Sequence, residues 1–313
     1  LPGRGYLDGL ASLLRRPIPA LGDLASLLPA RRAPALPVPS GRALDLVVDQ
    51  QYPLVPPEGI RTTLRVRLRA SEGSPRSRPP LRLHLVIDAS GSMKGGNWQQ
   101  VCAAVGDVAT RLGPQDLLSV VLYDESAWTV SPAVPGGPAA LAIVPKVCGI
   151  RPRRETNLFA GLAEGYAQAR AVYTPGAVNR VLLLSDGMPT RGPTDLYSLT
   201  SATTDALAAG ITTSTVGIGD GFDALIMGRI ASEGAGNFHF VRDRAGIPAV
   251  LTDELHVLAH EAAEAVEVRV RLDPRVRLVE VVGSEPLGVA ESLRARAVEV
   301  ATDQRLAREQ GIA

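Results

Sequence analysis

The chain has 313 residues, of which 45% are hydrophobic and 21% charged, a composition typical of an ordinary globular protein. That length is enough for one large domain with additions or for two domains. The net charge of +1 gives no argument for nucleic acid or an anionic membrane as a partner. No run approaches the roughly 20 apolar residues that a membrane-spanning helix needs, so we expect no span in this chain.

Residues 1–42 form an arm rich in Leu, Pro and Arg that contains a short internal repeat. LDGLASLL at residues 7–14 and LGDLASLL at residues 21–28 each read as two helical turns that Arg and Pro then stop. Helices this short must pack on something, and both the body of this protein and a partner remain open as that surface. The chain begins at Leu1 without Met or a basic-then-apolar leader, so we expect that residues upstream are missing.

Two pairs of alternating segments flank the central part of the chain. Residues 43–50 and 61–70 alternate apolar and polar side chains, as half-buried antiparallel strands do. Residues 265–272 and 276–283 repeat this pattern around Asp273-Pro274-Arg275, which is a plausible hairpin turn. We therefore predict one small antiparallel β-sandwich, built from segments 43–80 and 264–284.

The central block, residues 81–263, has a different pattern. Near-continuous runs of Val, Leu and Ile, typical of strands covered on both faces, lie at residues 81–87, 117–123, 180–185 and 211–218. Helix-like stretches alternate with them, at residues 97–112, 139–147, 158–171, 195–209 and 223–233. This alternation predicts an α/β fold with a doubly wound, mostly parallel sheet, inserted into the β-sandwich.

The end of the chain, residues 285–313, predicts an amphipathic helix that begins near Glu291. Its abrupt attachment to the hairpin suggests that residues are missing near 285–292. The two cysteines, Cys102 and Cys148, form no metal-type pair and no disulfide framework, so we expect two buried core thiols.

Oxygen-bearing side chains follow three of the predicted elements. The first parallel strand runs into Asp88, Ser90 and Ser92, a loop before a helix carries Thr156, and another strand ends at Asp186. Ligands of doubly wound sheets bind where the carboxyl ends of the strands meet. Two carboxylates and three hydroxyls, without His or Cys, suit Mg²⁺, Mn²⁺ or Ca²⁺ better than zinc or copper.

These residues resemble a known signature. Asp88, Ser90 and Ser92 match the DxSxS motif of von Willebrand factor A-type domains, Thr156 matches the separate Thr, and Asp186 matches the aspartate of the SDG motif. The resemblance covers residues 81 to about 262 and includes GIGDGFDALIMGRIASEGAGNFHFV, which is similar to the last strand–helix–strand unit of many bacterial members.

The resemblance implies a metal-ion-dependent adhesion site, usually loaded with Mg²⁺. Ser90, Ser92 and usually Thr156 would contact the metal, whereas Asp88 and Asp186 would act largely through water. Such a cation stays electrophilic and can take a sixth ligand from outside, typically a Glu or Asp of a partner protein. Bacterial relatives often serve as adaptors beside AAA+ ATPases, so an assembly component of that kind is an expected partner. The sequence does not fix the compartment, and a cytoplasmic location is favoured.

Basic residues surround the candidate site in the sequence. They are Lys94 after the first loop, Arg151, Arg153 and Arg154 before Thr156, and Arg191 after the SDG loop. Only Glu155 offsets them locally. They predict either an ordinary solvated face or a rim that steers an acidic partner toward the metal.

Two other classes of function remain as alternatives. The first is a metal-dependent hydrolase resembling haloacid dehalogenase-like phosphatases. It would need a second acid where Ser90 stands, and no G-x-S-x-G elbow or nucleophile–base histidine motif is present. The second is a structural component, in which the metal site is closed by six intramolecular or water ligands.

The loop Gly217–Phe222 resembles a dinucleotide-binding turn, but it has Phe where the third Gly is required, so we interpret it as a tight turn.

Overall fold

The computed structural model describes residues 44–52, 59–70, 78–153, 155–258, 268, 270–282 and 288–309. The chain divides into two compact units, the first ending at Arg76 and the second beginning at Ser77. The arm of residues 1–42, with its two LASLL segments, lies outside the described residues.

The first unit contains an antiparallel pair of strands, as the sequence predicts. β1 (Leu44–Gln50) pairs with β2 (Leu64–Ala70), and Leu46 lies opposite Leu68. On one face these leucines are 54% and 47% exposed. On the other face Arg65 and Arg67 both bind Asp49, at 3.1 and 2.7 Å. The hairpin therefore has one charged face and one apolar face that remains accessible.

The second unit is built on a six-stranded sheet in the order β5-β4-β3-β6-β7-β8, parallel throughout except for the antiparallel edge strand β5. Its strands are β3 (Leu81–Asp88), β4 (Leu117–Tyr123), β5 (Ala127–Pro135), β6 (Val178–Ser185), β7 (Thr212–Ile218) and β8 (Phe238–Val241). The chain passes from β3 to β4 on one side and reaches β6 on the other. The winding reverses between β3 and β6, which confirms the predicted doubly wound α/β sheet.

Helices cover both faces of this sheet. They are α1 (Gly96–Arg111), α2 (Pro138–Leu141), α3 (Val144–Cys148), α4 (Leu158–Ala171), α5 (Leu196–Ala208), α6 (Ala224–Glu233), α7 (Ile247–Leu258) and α8 (Val289–Glu309). One apolar core lies between the sheet and α1, α2, α3 and α7, and a second lies under α4, α5 and α6. Gly161 lets α4 approach the sheet closely, because a Cβ there would lie 2.6 Å from Tyr123 Cδ1.

Most predicted elements of the central block are confirmed, with two differences. The single helix predicted at residues 139–147 is broken into α2 and α3, and Pro145 stands in the first turn of α3, where its missing N–H is tolerated. The edge strand β5 was not expected from its sequence, AWTVSPAVP. Proline is tolerated at sheet edges, where one side of the strand needs no ladder hydrogen bonds.

Residues 270–282 differ from the prediction. The expected turn is present, since Val276 N donates to Asp273 O at 2.8 Å, but neither Val268 nor residues 270–282 belong to a strand. Apolar side chains of this segment are accessible, with Leu278 62% and Val282 70% exposed. A strand requires a neighbour that accepts and donates ladder hydrogen bonds, and this segment pairs with no described strand. The second pair of the β-sandwich therefore remains a prediction.

The predicted C-terminal helix is present as α8, which packs on α5. Arg305 Nη1 donates to Tyr173 Oη at 3.2 Å, and Tyr173 Oη donates in turn to Glu309. These contacts fasten the helix to the loop that follows α4. Among the described residues, none of the helices is long and apolar enough to cross a membrane.

The two cysteines are not both core residues. Cys148, at the end of α3, is exposed, and Cys102, on α1, is half-buried. The expectation of two buried thiols is wrong for Cys148, because α3 is a single short turn that buries only Val147.

Candidate metal site

The predicted metal ligands meet at the carboxyl ends of two adjacent parallel strands. Asp88 ends β3 and Asp186 directly follows β6, and these strands pair along their length with Ile87 opposite Leu184. This is the point at which the winding of the sheet reverses, where crossover loops separate and leave a crevice. The fold therefore gathers the loops that the sequence singled out.

Asp88 is buried and held by two neutral donors. Its Oδ1 accepts from Ser90 N at 2.8 Å, and its Oδ2 accepts from the Ser185 hydroxyl at 2.8 Å. Burial, and to a smaller extent the nearby Asp186 carboxylate, outweigh the lowering effect of these hydrogen bonds and raise the pKa of Asp88 to about 6. The site thus keeps a carboxylate in surroundings that disfavour its charge.

Asp186 is held in a similar way. Its Oδ1 accepts from Ser92 Oγ at 2.5 Å, and its Oδ2 accepts from Asn97 Nδ2 at 2.7 Å. Ser90 Oγ and Ser92 Oγ are 3.0 Å apart, so the two serine hydroxyls of the first loop also contact each other. Neither Asn97 nor Ser185 was identified from the sequence, although Ser185 stands in the SDG motif itself.

Thr156 approaches the same point from a third segment. A Cβ placed on Gly187 would lie 3.5 Å from Ser92 Oγ and 3.7 Å from Thr156 Oγ1, so both hydroxyls face this glycine. The threonine backbone is fixed by Thr190, whose N–H donates to Thr156 O at 2.9 Å and whose hydroxyl accepts from Thr156 N at 3.0 Å. All five predicted ligand residues are therefore brought together.

The donor set fits a hard divalent cation. Carboxylate and hydroxyl oxygens are the ligands that Mg²⁺ and Ca²⁺ prefer. Among the described residues, no group of three or more His, Cys, Asp or Glu side chains could hold a metal ion, so a cation here would depend on the hydroxyls as well as the two carboxylates. Ser92 is exposed while Asp88 is buried, which leaves one side of the cluster accessible. Asn97 Oδ1 is buried and has no hydrogen-bond partner among the described residues.

The residues of the predicted basic rim differ in their surroundings. Lys94, Arg151 and Arg153 are exposed, and Arg153 N donates to Ala89 O at 2.8 Å, which places its loop beside the DxSxS loop. Arg191 forms an ion pair with Glu155. Arg154 lies outside the described residues. Arg151 and Arg153, together with Trp128, also line a groove of about 430 Å³ next to Ala89.

The glycine-rich loop after β7 packs closely against the segment that carries Asp186. Gly219 has a φ of 69°, a conformation that favours glycine, and a Cβ on Gly221 would lie 2.8 Å from Asp186 O. The loop packs against the backbone of the SDG turn, in agreement with its interpretation as a tight turn.

A second buried charged cluster lies toward the amino ends of the strands. Glu254 on α7 accepts from Ser214 Oγ at 2.5 Å, from Asn237 Nδ2 at 2.9 Å and from His239 Nε2 at 2.9 Å, and Arg180 Nε lies 4.0 Å away. Burial raises the pKa of Glu254, but these hydrogen bonds and the Arg180 charge outweigh it and lower the pKa to about 2. No local sequence pattern indicates this cluster.

Comparison with known proteins identifies the family. A model of the von Willebrand factor type A domain matches residues 83–253. The protein YfbK of Escherichia coli (strain K12) is 26% identical over 239 residues, which cover 76% of this chain and 41% of that protein. The protein sll0103 of Synechocystis sp. is 28% identical over 183 residues, which cover 58% and 42% of the two chains. The chain thus spans about two fifths of the length of these curated relatives.

Solved structures agree on the fold. A von Willebrand factor type A protein from Catenulispora acidiphila aligns with a TM-score of 0.53 at 19% identity, covering 68% of this chain and 49% of that chain. Domains of this type typically bind protein partners with the help of a divalent cation and are generally non-catalytic. Because the family model covers more than half of the 313 residues, the chain belongs to the von Willebrand factor type A domain family.

Proposed function

We propose that this chain is an adaptor that binds another protein through a divalent cation held by Asp88, Ser90, Ser92, Thr156 and Asp186. The observation that carries the proposal is the pair of buried aspartates at the end of β3 and β6. The hydrogen bonds that Asp88 accepts come from a backbone N–H and a hydroxyl, which are neutral donors. A cation at this point would offset the two negative charges that burial otherwise disfavours.

The cation would be Mg²⁺, with Mn²⁺ or Ca²⁺ as substitutes. When bound, it would supply a Lewis-acidic position for one carboxylate oxygen of the partner. The exposure of Ser92 supports an opening on that side, and the exposed Lys94, Arg151 and Arg153 favour an acidic partner surface. A component of an AAA+ ATPase system remains the proposed partner class, and the activity of any longer protein containing this chain is likewise a proposal.

The test uses Mn²⁺ as a paramagnetic probe of the full chain. An adhesion site should hold exchangeable water on Mn²⁺, so water-proton relaxation should be enhanced when the protein binds the ion. A short peptide containing Glu should then displace that water and reduce the enhancement, whereas the matching Gln peptide should not. Enhancement that the Glu peptide leaves unchanged, or no Mn²⁺ binding at all, would contradict the proposal.

The same experiment separates the two alternatives. A structural site closed by six ligands would bind Mn²⁺ without responding to the Glu peptide. A hydrolase of the haloacid dehalogenase type would need Asp88 as nucleophile, but both oxygens of this buried carboxylate already accept hydrogen bonds. Ser90 also leaves that reaction without its second acid. These observations favour binding over hydrolysis.

We also propose, from the sequence pattern, that segments 43–80 and 264–284 form the β-sandwich. The apolar face of the β1–β2 hairpin is accessible, and so are apolar side chains within residues 270–282. Burying these apolar surfaces against one another would be favourable. Hydrogen exchange of the full chain tests this, since ladder amides exchange slowly. Fast exchange throughout residues 270–282 would rule out the second strand pair.

A further inference from the structure

Asn97 stands in the first turn of α1, directly after the DxSxS loop, and its side chain is buried with 8% exposure. Its Nδ2 donates to Asp186 Oδ2 at 2.7 Å. The amide is fixed in this orientation, because turning it over would place its oxygen against a carboxylate oxygen. The same orientation buries Oδ1, which has no hydrogen-bond partner among the described residues.

A buried acceptor without a donor costs folding free energy, so a protein that keeps one has a reason to do so. A smaller apolar residue at this position would avoid that cost. The amide that carries this oxygen contacts Asp186, one of the proposed ligand residues, and a hydrated cation there would bring water molecules. Waters bound to Mg²⁺ are strong hydrogen-bond donors, and Mg²⁺ retains several of them in protein sites.

We infer that Asn97 is a positioning residue for the metal, acting through Asp186 and through a cation-bound water. Its Nδ2 orients the Asp186 carboxylate, and its Oδ1 accepts a hydrogen bond from the water. Residues that orient metal ligands in this way typically change metal affinity by about 10–100-fold when they are removed. This inference rests on the proposed metal site.

Asn97→Ala is the test variant, and Gln99→Ala, an exposed position on the same helix, is the matched control. Calorimetric titration of the full chain should show Mg²⁺ affinity reduced about 10–100-fold in the Asn97 variant and unchanged in the control. Ca²⁺, which depends less on retained waters, should lose less affinity than Mg²⁺. The melting temperature of the metal-free protein should stay close to that of the wild type.

A purely structural asparagine would give the opposite result. Asn97→Ala would then lower the melting temperature of the metal-free protein and leave Mg²⁺ and Ca²⁺ affinities unchanged or equally reduced. Either outcome overturns the inference. Failure of the proposed metal site itself is distinguishable, because the wild-type chain would then bind neither cation.

Discussion

The two ends of the central sheet each bury acidic side chains, but they surround them differently. Glu254, toward the amino ends of the strands, accepts from Ser214, Asn237 and His239 and lies beside the Arg180 guanidinium, and its pKa falls to about 2. Asp88, at the carboxyl ends, is buried to a similar degree and lies near a second acid, and its pKa rises to about 6.

This difference distinguishes a carboxylate charge that the fold balances from one that it does not balance. The charge of Glu254 is balanced within the fold, so the fold itself accounts for it. The charge of Asp88 is not balanced by its own neighbours, and groups perturbed in this way by burial cluster at functional sites. The contrast explains why the carboxyl ends, and not the amino ends, are proposed to receive a cation from solution.

The largest expected effect on stability is at the amino ends. Glu254→Gln should lower the free energy of unfolding by about 3 kcal/mol, because it leaves Arg180 buried without its carboxylate. Glu233→Gln, which removes a partly exposed ion pair with Arg229, is the control and should change it by less than about 1 kcal/mol. Urea unfolding monitored by circular dichroism measures both. Equal effects of the two variants would remove the structural role assigned to Glu254.

At the carboxyl ends of the strands we expect a substitution that increases the free energy of unfolding. Asp88→Asn should stabilise the metal-free protein by about 1–3 kcal/mol at pH 7, because the folded carboxyl has its pKa raised from 3.8 to about 6 and its charge is disfavoured there. The new amide can donate to Ser185 Oγ, whose own proton can turn to Gly187 O at 3.2 Å. The same urea experiment applies. Destabilisation by this isosteric change would show that the carboxylate charge is already balanced within the fold.

The pH dependence of stability should provide a second test of the role of Glu254. The folded pKa of Glu254 is depressed below its ordinary value of 4.5, so its contribution is present above about pH 4.5 and is lost as the pH falls toward 2. The stability difference between wild type and Glu254→Gln should therefore shrink over that range. Thermal unfolding at a series of pH values measures it, and a constant difference down to pH 2 would be the contrary result.

The smallest effect concerns the rim, and it tests the acidic-partner idea. Replacing Arg151, Arg153 and Arg154 by Gln should slow association of the Mg²⁺-loaded protein with an acidic Glu-containing peptide and flatten its salt dependence. Arg191→Gln should change the rate less, because Glu155 already pairs with Arg191. Surface plasmon resonance across a salt series measures both. An unchanged association rate at low salt would identify the rim as an ordinary solvated face.

The sequence predicted those parts of the molecule that local patterns determine. Near-continuous apolar runs located four of the parallel strands, and the DxSxS and SDG motifs located the ligands because each stands directly after its strand. β5 was missed because its prolines and polar residues are tolerated only at an edge, and edge position is set by the whole sheet.

Other features depend on how distant elements pack. Asn97 could not be identified, because the side chain that reaches Asp186 depends on the angle at which α1 docks. The Glu254 cluster joins α7 to three separate strands, and no sequence period encodes such a contact.

The most direct test of the account is a calorimetric titration of the full chain with Mg²⁺, comparing the wild type with Asp88→Ala. Asp88 is the last residue of β3 and belongs to neither apolar core, so the variant should keep the wild-type circular dichroism spectrum. We expect saturable Mg²⁺ binding by the wild type and none by the folded variant. Equal Mg²⁺ affinity in both proteins, or no binding by either, would contradict the assignment of the metal to Asp88 and its neighbours.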